Sequence, residues 1–370
     1  MLIHRYVFKE HIWPFWLGLF TLTAILLMNQ IFLLVWDIIG KGVKPSTVFY
    51  VLLLYLPSIM ALTIPMAVMV SSCMAFGRLA QDREILALRS TGVNPLVLNI
   101  LPLTISIALT LGMIWFNNHI LPEANHRVKN IMIDMVQKKP VFKIKALVTM
   151  KDLEGYDMQV ADVDYKKSEI TRIKLFDKAT GREIFANSGV FYTDSTKITL
   201  LLRDGEIHEL LDSGRYRKLA FDEQYIYIPI DKETIQRDRE YRGERELSAR
   251  SLKDRIKVMQ VEKRQESQPK NAYKSKKIDS LLVEYHKKYS IPFACFAFVL
   301  LGCPLAIRVR KGGMGAGFGL ALLFFIFYYV CLIGGEHLGD RGTITPWIAM
   351  WFPNIVLTII GAWATYFANK

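Results

Sequence analysis

The side chains that do chemistry most readily are sparse in this 370-residue chain and poorly spaced for it. His119 and His126 stand seven apart without the Glu that a helical zinc hydrolase places between its two histidines, and Glu336-His337 is a lone pair at the end of an apolar run. The glycines of KGGMGAGFG (311–319) match neither G-x-x-x-x-G-K-[ST] nor G-x-G-x-x-G, so neither phosphate-binding loop is legible. Small residues entering an apolar run serve close helix packing or a hinge. The four cysteines, Cys73, Cys295, Cys303 and Cys331, all lie in apolar stretches, so no disulfide framework supports the polar part. Asn29, Gln30 and scattered Ser and Thr are thin material for an intramembrane enzyme. The residues give no catalytic group, no metal site and no cofactor held by this chain.

One charged stretch stands apart. RLAQDREILALRSTGVNP (78–95) interrupts two long apolar runs. Arg78 and Asp82 make an i,i+4 pair; Leu79 and Leu86 share one face of a helix over 78–92, and Ile85 and Leu88 another. Gly92 suits the residue after a helix end, and Pro95 prevents continuation. A loop that only reverses the chain needs a few polar residues. This one has the shape of a handle for a soluble partner, or of a helix lying on the lipid surface, and the pattern alone does not choose.

The surrounding elements are membrane spans. The chain is 52% hydrophobic yet carries a formal charge of +13, and the two features are segregated. Residues 12–36, 46–76, 95–116, 291–307, 314–335 and 344–367 are almost uncharged, and ~20 apolar residues cross a ~30 Å hydrocarbon core. The first run is too long for a signal-peptide core and lacks a small-residue cleavage site, so it reads as an uncleaved anchor. Residues 1–11 read as a short interfacial segment with Trp13 and Trp16 as anchors; Pro57 and Pro65 predict a kink or break in the second span. Arg5, Lys9, Arg78, Arg83, Arg89, Arg308, Arg310, Lys311 and Lys370 fall on one side, against Lys41, Lys44 and Arg341 on the other. The first side is therefore cytoplasmic, with both termini there and the large polar insertion across the membrane.

That insertion changes period. KITLLLRDGEIHEL predicts a hairpin turning at Asp204-Gly205, IKLFDKATGREIF a second hairpin, and EQYIYIPI a strand. Together they predict an antiparallel sandwich or jelly roll. A Ser-capped helix carrying Leu252, Ile256 and Met259, then one carrying Ile278, Leu281, Leu282 and Tyr285, return the chain to the membrane. The chain divides into an N-terminal membrane half at 1–121, a β jelly roll with its helical connector at 122–271, and a C-terminal membrane half at 272–370. The dispersed positive charge points to acidic, phosphate-bearing lipid rather than nucleic acid.

LPSIMALTIPMAVMVSSCMAFGRLAQDREILALRSTGVNP, with RYVFKE, IIGKGV and YHKKYSIPFACFAFVLLGCPLAI, resembles the LptF/LptG permease family, the F member more than the G. The resemblance implies a half-transporter for lipopolysaccharide in the bacterial inner membrane, with the β domain periplasmic. Its partners would be an LptG-like (or LptF-like) permease, a dimeric LptB-like ABC ATPase holding ATP and Mg, a single-span LptC-like subunit and an LptA-like bridge. Residues 78–92 correspond to the family's coupling helix, with Glu84 at its acidic contact and Arg83, Leu86 and Arg89 beside it. The first and fifth spans line the lipid cavity, which here offers Ile25, Met28, Asn29, Phe32 and Trp36, and Phe318, Leu322, Phe325, Ile326 and Tyr329. Those faces suit ordinary helix packing nearly as well. Lys41 and Lys44 follow the first span at the depth of lipid phosphates. A membrane-anchored scaffold without transport is the alternative.

Overall fold

The computed structural model describes residues 2–37, 45–92, 97–138, 147–153, 155–165, 167–193, 197–210, 214–229, 232–265, 270–308 and 313–368. In chain order these form α1 (Leu2–Asp37), α2 (Pro45–Gln81), α3 (Glu84–Ser90) and α4 (Val97–Lys138). Six strands follow: β1 (Met150–Leu153), β2 (Tyr156–Asp164), β3 (Glu169–Asp177), β4 (Glu183–Thr193), β5 (Lys197–Leu210) and β6 (Tyr216–Pro229). Then come α5 (Lys232–Glu240), α6 (Ala249–Gln265), α7 (Lys270–Arg308), α8 (Gly313–Asp340) and α9 (Pro346–Ala368). Six helices, α1, α2, α4, α7, α8 and α9, are long and apolar enough to cross a membrane. The chain is a helical membrane protein with a β domain between its third and fourth spans. Two compact units are present: residues 1–30, 53–126 and 242–370 form one, residues 31–52 and 127–241 the other.

In the first unit α7 is the central helix, with 72% of its apolar window buried against at most 44% for any other span. Phe298 and Leu301 of α7, Met69 and Cys73 of α2, Tyr328 of α8 and Met350 of α9 form its main cluster. Lipid tails are as apolar as these side chains, so close packing and interhelical hydrogen bonds must hold the helices together. Thr23 Oγ1 donates to Thr63 Oγ1 (3.1 Å), Thr110 Oγ1 to the Pro292 carbonyl (3.2 Å) and Asn354 Nδ2 to the Ser290 carbonyl (2.7 Å). The glycines supply the close approaches. A Cβ on Gly317 would lie 2.5 Å from the Cys73 carbonyl oxygen, and one on Gly335 2.4 Å from that of Ala349. The Gly-rich stretch thus packs α8 directly on the backbone of α2.

Two expectations change here. Residues 2–37 are one continuous helix with Pro14 inside it, so the N-terminal segment and the first span are not separate elements, and α2 is helical through Pro57 and Pro65, so neither breaks it. Near Pro14, the His11 carbonyl takes a hydrogen bond from Ser71 Oγ (2.7 Å), which ties this turn of α1 to α2. The connector also groups with the membrane helices from Arg242 onward. Ser248 caps α6, its Oγ accepting the Ser251 N–H at 3.2 Å, and Leu252 and Ile256 pack on Ile278 and Leu281 of α7.

In the second unit the strands pair antiparallel in the order β1-β2-β3-β4-β5-β6. The described strands form one meander, not two sheets joined by crossovers. β3 and β4 make the expected hairpin: Asp177 Oδ1 accepts the Ala179 N–H (2.9 Å) and Gly181 takes φ 69°. Asp204-Gly205 is not a turn; β5 runs straight through it, paired to β4 on one side and β6 on the other. Pairing instead skips one row, Ala161, Arg172, Asn187, Asp204 and Asp222, without a change of register, and Arg172 and Asp204 adopt φ 49° and 50°. On each strand the buried positions change parity across this row: Val160 with Val163, Ile173 with Ile170, Ala186 with Phe191, Leu202 with Ile207. The row is a crease. Among the described residues, the core it encloses consists of strand and turn residues, with Met158, Leu175, Leu200 and Leu202 fully buried, so the sheet folds upon itself. Gly189 and Gly205 sit just beside the crease, where a Cβ would meet Ile173 Cδ1 at 2.7 Å or Phe221 Cζ at 2.3 Å.

Left-handed backbone at a non-glycine residue costs roughly 1–3 kcal/mol, and most at β-branched side chains. Asp204→Val is therefore expected to open the crease while Asp204→Asn keeps it. In limited proteolysis of the full chain, Val at this position should expose β5 to cleavage well before the wild type. Equal cleavage of the two would contradict a strained crease.

Candidate functional site

The charged interruption forms a smaller helix than its sequence pattern suggests. Residues 78–81 complete α2, and the chain turns at Asp82 and Arg83 because Arg83 takes the left-handed conformation (φ 59°, ψ 12°). The Asp82 N–H still reaches the Arg78 carbonyl (2.9 Å), and the Ala87 N–H starts the new helix on the Arg83 carbonyl (3.0 Å). Glu84 lies in its first turn and Arg89 in its last, the order that complements the helix dipole. Ser90 and Thr91 hydroxyls cover the Ala87 and Leu88 carbonyls (2.8 Å each), and Gly92 takes φ 81° as its position requires. The helix at 78–92 is thus corrected to 84–90. Leu79 and Leu86 do not share a face either: Leu79 is buried at the end of α2, and Leu86 is 59% exposed.

Ile85 and Leu88 fasten α3 to the bundle, packing among Val7 of α1, Phe76 and Leu79 of α2, Leu98 of α4, and Cys303 and Ala306 of α7. One short helix therefore shares a single hydrophobic cluster with the ends of four spans. Its other face carries Arg83, Leu86 and Arg89, which with Ala80, Gln81, Ile85 and Ile307 line a groove of about 420 Å³. Glu84 stands at the side, where the Tyr6 hydroxyl donates to its Oε1 at 2.9 Å. Arg78 donates to Glu10 Oε2 at 2.7 Å and lies 3.5 Å from Asp82. The chemistry available is recognition: an apolar knob, two guanidiniums and a carboxylate on a stiffly mounted helix.

The other anticipated residues fall in several places. Lys41 and Lys44 lie outside the described residues, as does the side chain of Trp36. Ile25, Met28, Asn29 and Phe32 are exposed along one face of α1. On α8, Leu322 and Ile326 are exposed and Tyr329 half-buried, its ring 5.6 Å from that of Phe325. Phe318 and Phe325 instead pack against the main cluster, because they neighbour the buried face of Gly317, Ala321 and Tyr328. His126 Nδ1 lies 2.8 Å from Glu246, and Glu336 accepts from Lys287 (2.8 Å) and Arg245 (3.1 Å), so both tie the connector and its neighbours together. Among the described residues no group of three His, Cys, Asp or Glu is placed to hold a metal. Tyr6 and Glu10, missed in the sequence, are the added members of the site. Their i,i+4 spacing beside Val7 was the available signal.

The fold and this site define a multi-pass membrane protein whose second and third spans are joined by a short helix seated on the bundle and whose third and fourth are joined by a creased β domain. The family described as lipopolysaccharide export system permease LptF/LptG matches residues 5–366, and the chain belongs to it. The chain is also 24% identical over 243 residues to a protein of Rickettsia prowazekii (strain Madrid E) bearing the name Uncharacterized protein RP871. That match covers 62% of this chain and 64% of the relative's length.

Proposed function

We propose that this chain is the permease half of an ABC transporter that draws lipopolysaccharide from the outer leaflet of the bacterial inner membrane and passes it to a periplasmic β bridge. Family membership supports the substrate class. The single observation that carries the mechanism is the mounting of α3, with Ile85 and Leu88 sunk among four span ends while Leu86, Arg83 and Arg89 face outward. A separate ATPase, holding ATP and Mg, would grip that outward face, so that closure of the ATPase displaces the spans together. This chain would do no hydrolysis itself. A second permease of the same family would complete the membrane body, packing on part of the apolar faces that α1 and α8 otherwise present to lipid. A single-span periplasmic subunit would continue the folded sheet.

In this reading Ile25, Met28, Asn29, Phe32 and Trp36, with Leu322, Ile326 and Tyr329, meet the acyl chains. Lys41 and Lys44 meet the phosphates, at about 1 kcal/mol each near a membrane surface. Both termini are cytoplasmic and the β domain periplasmic, following the distribution of basic residues in the short loops. The test is site-specific photocrosslinking in cells making lipopolysaccharide. A photoreactive residue at Phe32, Lys41 or Tyr329 is expected to form lipid adducts, and one at Leu86 none. Adducts at Leu86 but at none of the three would overturn the path.

A further inference from the structure

We infer that Tyr6 is a positioning residue for Glu84, and that the first turns of α1 form with α3 one mechanical body, so that a force on α3 enters α1 directly. This rests on the reading of α3 as the ATPase-gripped element. A glutamate on the flank of a seven-residue helix has several rotamers open to it. The Tyr6 O–H···Oε1 bond at 2.9 Å selects one of them, and the second carboxylate oxygen can accept from a partner's guanidinium.

The bond is one of a set along α1. Val7, next in sequence, is 1% exposed in the same cluster as Ile85. Glu10, one turn further, takes Arg78 at 2.7 Å, and Arg78 also approaches Asp82, where α2 ends and the turn to α3 begins. The His11 ring meets Phe76 edge-on at 5.2 Å. Tyr6, Val7, Glu10 and His11 occupy one face of α1, at i, i+1, i+4 and i+5; the first three reach the end of α2 and the start of α3, and His11 packs on α2 one turn earlier. Sliding α3 past α1 would break the Tyr6–Glu84 bond and unpack Val7 from the cluster it shares with Ile85, while Glu10 and Arg78 hold the same turns of α1 to the end of α2. Moving α1 with it keeps the Tyr6–Glu84 bond and the Val7 packing. Because α1 continues without interruption to Ile25, Met28 and Asn29, displacement of α3 reaches the lipid-facing row along a single helix.

The experiment uses the complete transporter in proteoliposomes, reading lipid released per ATP hydrolysed for Tyr6→Phe, Glu84→Gln and the double variant. Phe keeps the ring and removes only the donor, so assembly and thermal stability should match the wild type. Tyr6→Phe is expected to lower the ratio about fivefold, the weight of one hydrogen bond to a charged group near the surface, and to add clearly less in the Glu84→Gln background, where the amide oxygen can still accept the Tyr6 O–H but carries no charge. A wild-type ratio for Tyr6→Phe beside an impaired Glu84→Gln overturns this inference alone. The same fivefold loss in both backgrounds also overturns it, since Tyr6 would then act without Glu84. A wild-type ratio for Glu84→Gln overturns the assignment of α3 together with this inference.

Discussion

Reversing the charge at Glu84 with Glu84→Arg is expected to lower ATP-driven lipid release at least about thirtyfold, while the protein still inserts and folds. The carboxylate contributes little to the chain's own stability, because its one described hydrogen bond, from Tyr6, lies at the exposed flank of α3. Surface substitutions of this kind move stability by about 0.5 kcal/mol. An interface is different: truncating one partner of a buried charge pair costs about 2–5 kcal/mol, and a reversal adds repulsion between cations. The new arginine would also stand beside Arg83 and Arg89, concentrating positive charge on one short helix. Release assayed with ATPase present, beside retention of the ATPase on affinity-purified permease, separates failed docking from failed coupling. Undiminished release would remove Glu84 from the coupling surface.

Gly317→Val is expected to destabilise the membrane unit by about 3 kcal/mol, the upper part of the range for overpacking a tight interior. The atoms a side chain would strike are the Cys73 carbonyl oxygen at 2.5 Å, its carbon at 2.9 Å and Met74 Cα at 3.0 Å, all backbone of α2. No rotamer change relieves that contact. α8 must lift away from α2, which also separates Gly313 from Gly77, whose Cβ would lie 3.0 Å from the Gly313 carbonyl oxygen. Two residues on, Gly319 has nothing within 4 Å of a built Cβ. Gly319→Ala should therefore gain up to about 1 kcal/mol from helix propensity. Cys73, Cys295 and Cys303 are free and buried, so a thiol-reactive dye reports unfolding in detergent directly. The expected order of melting is Gly317→Val first, then wild type, then Gly319→Ala. Coincident melting of the first two would contradict the close α2–α8 contact.

The membrane helices were legible because a span is encoded by composition, and six long uncharged runs leave no other solution. Helix ends were harder to read. Nothing in RLAQDREIL marks Arg83 as the residue that turns left-handed, and apolar spacing continues smoothly through it, so α3 reads six residues too early. Asp204-Gly205 misled for a related reason. The pair prefers positive φ, and Asp204 does adopt it, but to crease a continuous strand rather than to reverse it. The crease becomes visible only when the missing row is traced across neighbouring strands, information that a single strand does not hold. Tyr6 was hidden differently. Its partner lies 78 positions away, and an aromatic residue beside basic ones at a membrane surface needs no partner to explain it. The Gly-rich stretch reads as packing or a hinge, and Gly317 does lie against the backbone of α2, while Gly315 and Gly319 have open space beside them.

The central claim is that a separate ATPase works on α3 and that lipid moves in consequence. The most direct measurement reconstitutes this chain and its partner permease in proteoliposomes with lipopolysaccharide, with and without the ATPase. Release to a soluble β-bridge acceptor is then followed after ATP is added. The account predicts release only when the ATPase and ATP are both present, and its loss when residues 84–90 are scrambled. Equal release without the ATPase, or with the scrambled helix, would contradict it.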